Sequence, residues 1–274
     1  RKRDWTEIID RIDHPKYSIN IAVVGKYIEH QDAYKSIYEA IAHAGIHNYT
    51  KVKILRVDAE RIEKDGAPLY LKEAHGILIP GGFGERGIEG KISAIQYARE
   101  YKIPFLGICL GMQCAVIEFA RNVMEIEHAN STEFHSDTTD PVICLLSEQK
   151  DIKNMGGTMR LGASMTKIKE GSLAQKLYGC SSVMERHRHR YEFNNEYRAR
   201  FEERGFHLSA TTPDGELIEI VEITAHPFFI ACQYHPEFQS KPDNAHPFFS
   251  GLVASGLEQK NRRIDSTINA KHTI

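Results

Sequence analysis

The thiol of Cys109 lies between Gly107 and Gly111 in "GICLG", where the apolar run "IPFLGI" gives way to helical spacing at Met112, Ala115, Val116, Phe119 and Ala120. Glycines two positions either side of a nucleophile type are the signature of a sharp strand-to-helix turn, because they remove the Cβ atoms that would clash there. The partial positive charge of the following helix N-terminus favours a thiolate at that position. A free cysteine also serves as an inert, buried packing group. Cys114, mid-helix and without flanking glycines, is the comparison for that second reading.

A thiolate nucleophile needs a base, and the base needs a group that orients it. Among fourteen histidines, His235 in "FFIACQYHPEF" is the strongest candidate. An apolar strand runs into it, Pro236 stops the ladder, and Glu237 follows two residues on. In extended backbone His235 and Glu237 project to the same side. A third element of such chemistry is a set of N–H donors for an oxyanion, which "PGGFG" (residues 80–84) offers at the end of another strand. The overlapping "GFGERG" matches a dinucleotide fingerprint. It belongs to a later strand–helix unit, however, and the next strand ends in Cys109 rather than in an acidic residue.

The elements that must position these groups alternate. "SINIAVVG" reads as a buried strand. A helix over 32–45 follows, with Asp32 able to cap its start and Gly45 its end. "KVKILRVDA" and "HGILIP" read as strands, "EGKISAIQYAREY" as a helix and "IPFLGI" as a fourth strand. Alternation of this kind implies a parallel sheet with helices on both faces and chemistry at the carboxyl ends of the strands. After about residue 140 strands dominate ("PVICLLS", "GASMTKI", "SVMERHRHRYEF", "FHLSATT", "LIEIVEI", "FFIACQYH"), with short helices near 172–178 and 194–204 and a last helix near 247–258. The expected fold class is α/β, a flavodoxin-like three-layer sandwich. Its central sheet is mostly parallel and flanked by helices, with a β-rich C-terminal half folded onto it.

The 274 residues carry a formal charge of −2 with no long run of one sign, which gives no support to a nucleic-acid or membrane-surface role. No apolar stretch approaches the roughly 18 residues a membrane span needs. The start "RKRDWTEIID" lacks a signal core, and it lacks an initiator Met, so the chain is expected to begin inside a longer polypeptide. Five cysteines without paired spacing fit reduced thiols in the cytoplasm. "RHRHR" places Arg186, Arg188 and Arg190 on one strand face and His187 and His189 on the other. Two histidines invite a zinc reading, but no cysteine pair or acidic neighbour in the sequence completes it, and no metal is expected.

"PGGFG", "GICLGMQ" and "HPEF", in that order, resemble the class I glutamine amidotransferases. "ANSTEF" (129–134), "GGTMRLG" (156–162) and "ERHRHRYEFN" (185–194) narrow the resemblance to the glutaminase domains of CTP synthases. The resemblance implies hydrolysis of L-glutamine to glutamate and ammonia by Cys109, His235 and Glu237, with backbone N–H groups of Gly82 and Leu110 as the oxyanion hole. It implies a glutamine pocket of Gly82, Phe83, Leu110, Gln113, Glu133 (toward the α-ammonium) and Arg190 (toward the α-carboxylate). Phe83, Arg86 and Arg160 become a region for the activator GTP. Residues 1–16 correspond to a segment connecting to a synthetase domain that binds ATP with Mg and UTP. Residues 17–258 form the amidotransferase domain, and 259–274 a mobile tail. No cofactor is expected in this chain itself. The short connection "SEQKDIKNM" departs from the family pattern. The alternatives are a γ-glutamyl hydrolase, against which "ANSTEF" and Arg190 argue, and a non-catalytic regulatory module, which would not need Cys109, His235 and Glu237 together.

Overall fold

The computed structural model describes residues 5–26, 31–145 and 159–271. "SEQKDIKNM" and residues 156–158 of "GGTMRLG" lie outside the described residues. The helices are α1 (Trp5–Asp13), α2 (Lys35–His47), α3 (Ala59–Asp65), α4 (Ala67–Leu71), α5 (Ile88–Glu100), α6 (Leu110–Asn122), α7 (Leu173–Tyr178), α8 (Arg198–Glu203) and α9 (Pro247–Lys271). The strands of the first half are β1 (Tyr17–Gly25), β2 (Thr50–Asp58), β3 (Gly76–Ile79), β4 (Phe105–Ile108), β5 (Ala129–Ser131) and β6 (Asp140–Cys144). Those of the second are β7 (Arg160–Ile168), β8 (Ser182–His189), β9 (Glu192–Phe193), β10 (Phe206–Thr211), β11 (Ile218–Ile223) and β12 (Phe229–Cys232).

Nine strands form one sheet in the order β2-β1-β3-β4-β12-β11-β10-β7-β8. The first five are parallel neighbours, as the alternation of strands and helices requires. From β12 onward every pairing is antiparallel. The β-rich half therefore prolongs the sheet edge instead of folding onto the first half. Strands β5, β6 and β9 make a separate small sheet.

Side-chain alternation along the central strands feeds two cores. Phe105, Phe229 and Ala231 face α3–α6 and α8, whereas Leu106, Ile108, Ile230 and Cys232 face α2, α7 and α9. Each fully buried aliphatic or aromatic side chain contributes about 1.5–3 kcal/mol to this arrangement. Some sequence signals are overridden by packing. Asp32 falls in a 3-10 turn ahead of α2, whose N-cap is Tyr34, and Gly45 lies inside that helix. The last helix continues past residue 258 to Lys271. The short α3 and α4 were not anticipated, although the Asp58 side chain caps α3 by accepting from the Glu60 N–H at 2.9 Å.

The turn from β4 into α6 is tight on both sides of Cys109. A Cβ on Gly107 would sit 2.8 Å from Gly111 O, and one on Gly111 would sit 2.2 Å from Ile79 O. Backbone cannot yield that much, so Gly111→Ala is expected to destabilise the chain by about 1–3 kcal/mol or more in urea unfolding. Parental stability for Gly111→Ala would show that the elbow is looser than these contacts allow.

Candidate active site

Cys109 is the N-cap of α6 with φ 52° and ψ −103°, a conformation that a non-glycine residue adopts only under constraint. Strain of this kind costs of order 1–3 kcal/mol and persists only where the surroundings over-determine it. Here the constraint is the register of β12 against β4: Cys232 pairs with Ile108, and the Cys109 N–H donates to Cys232 O at 2.7 Å. The thiol is 3% exposed and faces Arg188 O at 3.9 Å.

The same register delivers His235, which leaves β12 and donates its backbone N–H to Arg186 O on β8 at 2.8 Å. Its Nδ1 meets Glu237 Oε1 at 2.8 Å. With that nitrogen engaged, Nε2 is the one left toward Cys109, which lines the same hollow as His235 and Glu237. The His235–Glu237 pair is made by a 3-10 turn over Pro236–Gln239, not by alternation in extended backbone. Gly81 permits the approach, since a Cβ there would lie 2.8 Å from His235 Cε1 and 3.5 Å from Cys109 Cβ. Burial opposes a charge on His235, but the neighbouring Cys109 sulfur and the bonded Glu237 carboxylate outweigh it and raise the imidazole to about 10.

On the far side of the sulfur, a cavity is lined by Gly82, Phe83, Cys109, Gln113, Glu133, His189, Arg190 and Tyr191. Five pocket residues expected from the sequence thus converge on one hollow. Leu110 adjoins it as the first residue of α6, where its N–H has no acceptor within the helix. Glu133 sits in the turn after β5, its own N–H on Ser131 Oγ at 3.1 Å and its Oε1 accepting from the Gly84 N–H at 2.9 Å. Burial raises its carboxyl above the ordinary range, against the Gly84 N–H and the charges of Lys26 and Arg190. Arg186 and Arg188 are exposed and His187 and His189 buried, as the alternation predicts, but Arg190 follows the end of β8 and turns to the cavity.

Not all expected residues gather there. Phe83 and Arg86 share the loop after β3, with Arg86 bonded to Lys26 O and Glu60 at 3.0 Å each. Arg160 does not join them: it turns inward, 2.6 Å from Glu219 Oε1 and 2.9 Å from Ser164 Oγ. His187 and His189 bond to one another at 3.0 Å and have acidic neighbours that the sequence did not reveal, Glu219 at 3.4 Å from His187 and Glu192 at 3.4 Å from His189. Burial and the Arg160 charge hold the two rings down to about 2 and about 3, so both are neutral. Burial pushes Glu192 up to about 8 and Glu219 to about 7 against the pull of Arg160. Among the described residues no group of three or more His, Cys, Asp or Glu is arranged to hold a metal ion. Cys114 is wholly buried, which pushes its thiol up to about 12. Gln233 and Tyr191, which have no local sequence signal, both enter the site.

The His235 value sets a pH dependence. A cation favoured by folding adds stability in full below its unfolded value of 6.5, and that stability is lost as pH rises through about 10. Wild-type protein is therefore expected to lose more unfolding free energy than Glu237→Gln between pH 6.5 and pH 10 in denaturant titrations. Equal losses in the two proteins would refute the ion pair.

Residues 29–255 match the class I glutamine amidotransferase family. A CTP synthase from Synechocystis sp. is 51% identical over 270 residues, covering 98% of this chain and 49% of that protein. One from Fibrobacter succinogenes is 54% identical over 259 residues, covering 94% and 46%. The chain thus spans about half the length of the curated relatives it matches. The glutaminase domain of Trypanosoma brucei CTPS, solved with bound acivicin, superposes with a TM-score of 0.82 at 38% identity, covering 88% of this chain and 94% of that one. The chain belongs to the class I glutamine amidotransferase family, among the glutaminase domains of CTP synthases.

Proposed function

We propose that this chain hydrolyses the side-chain amide of L-glutamine. The observation that carries the reading is the line Cys109–His235–Glu237 standing beside a cavity bounded by one carboxylate, Glu133, and one guanidinium, Arg190. A carboxylate and a planar cation at the wall of one small hollow suit the α-ammonium and α-carboxylate of a free amino acid. Phe83 and Gln113 complete its sides.

In this mechanism the Cys109 sulfur attacks the amide carbon, and the oxygen becomes an oxyanion held by the N–H groups of Gly82 and Leu110. Each such donor is worth roughly 3–4 kcal/mol of transition-state stabilisation. His235, having taken the Cys109 proton as the sulfur attacks, delivers it to the departing nitrogen, which leaves as ammonia, and a glutamyl thioester remains. His235 then takes a proton from water, the hydroxide attacks the thioester, and glutamate departs as the thiol is restored. Glu237 keeps Nδ1 of the ring engaged so that Nε2 does the transfers.

The chain's relatives are about twice its length, and we assign the ammonia to their other half, a synthetase domain aminating UTP to CTP with ATP and Mg. Activation by GTP would act through the loop of Phe83 and Arg86, which also carries Gly82.

Ammonia release from L-glutamine, measured with and without GTP, tests the reading. Cys109→Ala is expected to fall to background while keeping its fold, and a diazoketone analogue of glutamine is expected to alkylate Cys109. Parental ammonia release by Cys109→Ala, or labelling of another cysteine, would overturn it. Arg190→Lys, which keeps charge but loses the planar fork, is expected to raise KM for glutamine at least tenfold in the same assay.

A further inference from the structure

Gln233 is fully buried at the end of β12, 124 residues from Cys109 in the chain, and lies in no role described so far. Its side-chain nitrogen is 3.7 Å from Cys109 Sγ. Its oxygen is 3.3 Å from Gln113 Nε2, and that same nitrogen is 3.1 Å from Tyr191 O.

The orientation of both amides follows from one fact: the Tyr191 carbonyl can only accept. Gln113 must therefore present its NH2 group, which also meets Gln233, so Gln233 must answer with its oxygen. That leaves the Gln233 NH2 group toward the sulfur. The arrangement uses both hydrogens of Gln113 and leaves its Oε1 as an acceptor in a residue that lines the cavity.

Strand alternation explains why a glutamine stands there. Phe229 and Ala231 face the α6 side of the sheet, and Gln233 continues that face; Ile230, Cys232 and Tyr234 face the other. The backbone is held as well, since the Gln233 N–H donates to Glu219 O at 2.9 Å. A buried amide aimed at a sulfur has a clear consequence. An N–H donor favours the ionised over the neutral partner, in a site where Arg188 O is otherwise suited only to the protonated thiol.

We propose that Gln233 is a positioning residue for this reaction: its N–H holds the Cys109 thiolate, and its carbonyl fixes Gln113 in the substrate cavity. The proposal rests on the glutaminase reading above. The titratable and charged groups around the sulfur are Cys232 on the adjoining strand, His235, Glu237 and Arg188 in one hollow, and Glu133, His189, Arg190 and Tyr191 in the other.

The test uses Gln233→Met, which keeps the volume and removes both hydrogen bonds, and Gln233→Glu, which keeps the acceptor and places a carboxylate oxygen beside the sulfur. Iodoacetamide alkylation of Cys109 is followed across pH, alongside kcat, KM and thermal unfolding. In Gln233→Met, alkylation at neutral pH should slow about tenfold, its pH dependence should move upward, and kcat should fall by a similar factor. Gln233→Glu should be slower still. A variant that melts like the parent and keeps the parental alkylation profile and kcat would overturn the proposal. Should either variant fold poorly, the parental protein decides: the Gln233 side-chain amide NMR resonance must shift when Cys109 is alkylated, and an unmoved resonance overturns the role. Cys109→Ala separates the two readings. If it still releases ammonia, the function is wrong; if it is dead while the Gln233 variants are parental, only this inference fails.

Discussion

The parallel pairing of β12 with β4 is the constraint on which the rest of the site depends. It sets Cys232 beside Ile108 and joins the Cys109 N–H to Cys232 O, so residues far apart in the chain reach a common point at the carboxyl ends of adjacent strands. Everything beyond that register is short. The elbow adds Cys109 at once, and the three residues after β12 add Gln233, Tyr234 and His235. Because side chains alternate, Gln233 goes to the α6 side and Tyr234 to the α2–α9 side. A slip of one residue would exchange those faces and put an aromatic ring where the sulfur now has an amide.

That dependence also explains which parts of the site were legible in the sequence. The elbow was, because part of its cause is local: Gly107 must clear Gly111 O within the turn, whereas Gly111 must also clear Ile79 O on the neighbouring β3. His235 with Glu237 was legible as a pair but not in geometry, since Pro236 starts a 3-10 turn that brings the carboxylate round another way. Gln233 could not be found from spacing. A lone glutamine in an apolar strand acquires meaning only once β12 is known to lie against β4. Asp32 and Gly45 were read as caps from a local rule. Gly45 is instead required inside α2, where a Cβ would come 2.7 Å from Thr50 O. Arg160 had no local signature at all, because its partner Glu219 sits on β11, two strands away in the sheet.

The interior of the second half is unusually polar for a sheet core. Glu192, Glu219, His187 and His189 are packed with little water access around the partly buried Arg160, and burial alone would leave the carboxylates strongly disfavoured. A single, partly buried cation faces two carboxyls, so the cluster lowers its cost by keeping both histidines uncharged and by holding the acids close to neutrality. Its geometry reaches the cavity beside Cys109 without crossing solvent: His187 bonds His189, His189 Nδ1 is 3.2 Å from Tyr191 O, and that carbonyl receives Gln113. The neutral rings hold Tyr191 and so fix the acceptor that orients both glutamines.

The antiparallel extension therefore does more than lengthen the sheet. Its outer hairpin, β7 with β8, supplies Arg188 O against the sulfur, Arg186 O to His235 and, past the strand end, Arg190 to the cavity wall. The parallel half contributes the elbow and Gly82, and the small sheet contributes Glu133 through the turn after β5. Two hydrogen-bonded sheets, the larger contributing both its parallel and its antiparallel half, thus meet at one hollow. The β4–β12 register governs the sulfur and the imidazole, whereas the placement of β8 governs the cation that would select an amino acid. A change in the hairpin would alter the cavity wall and the carbonyls against the sulfur and His235, but not the Cys109 backbone, which is anchored to Cys232.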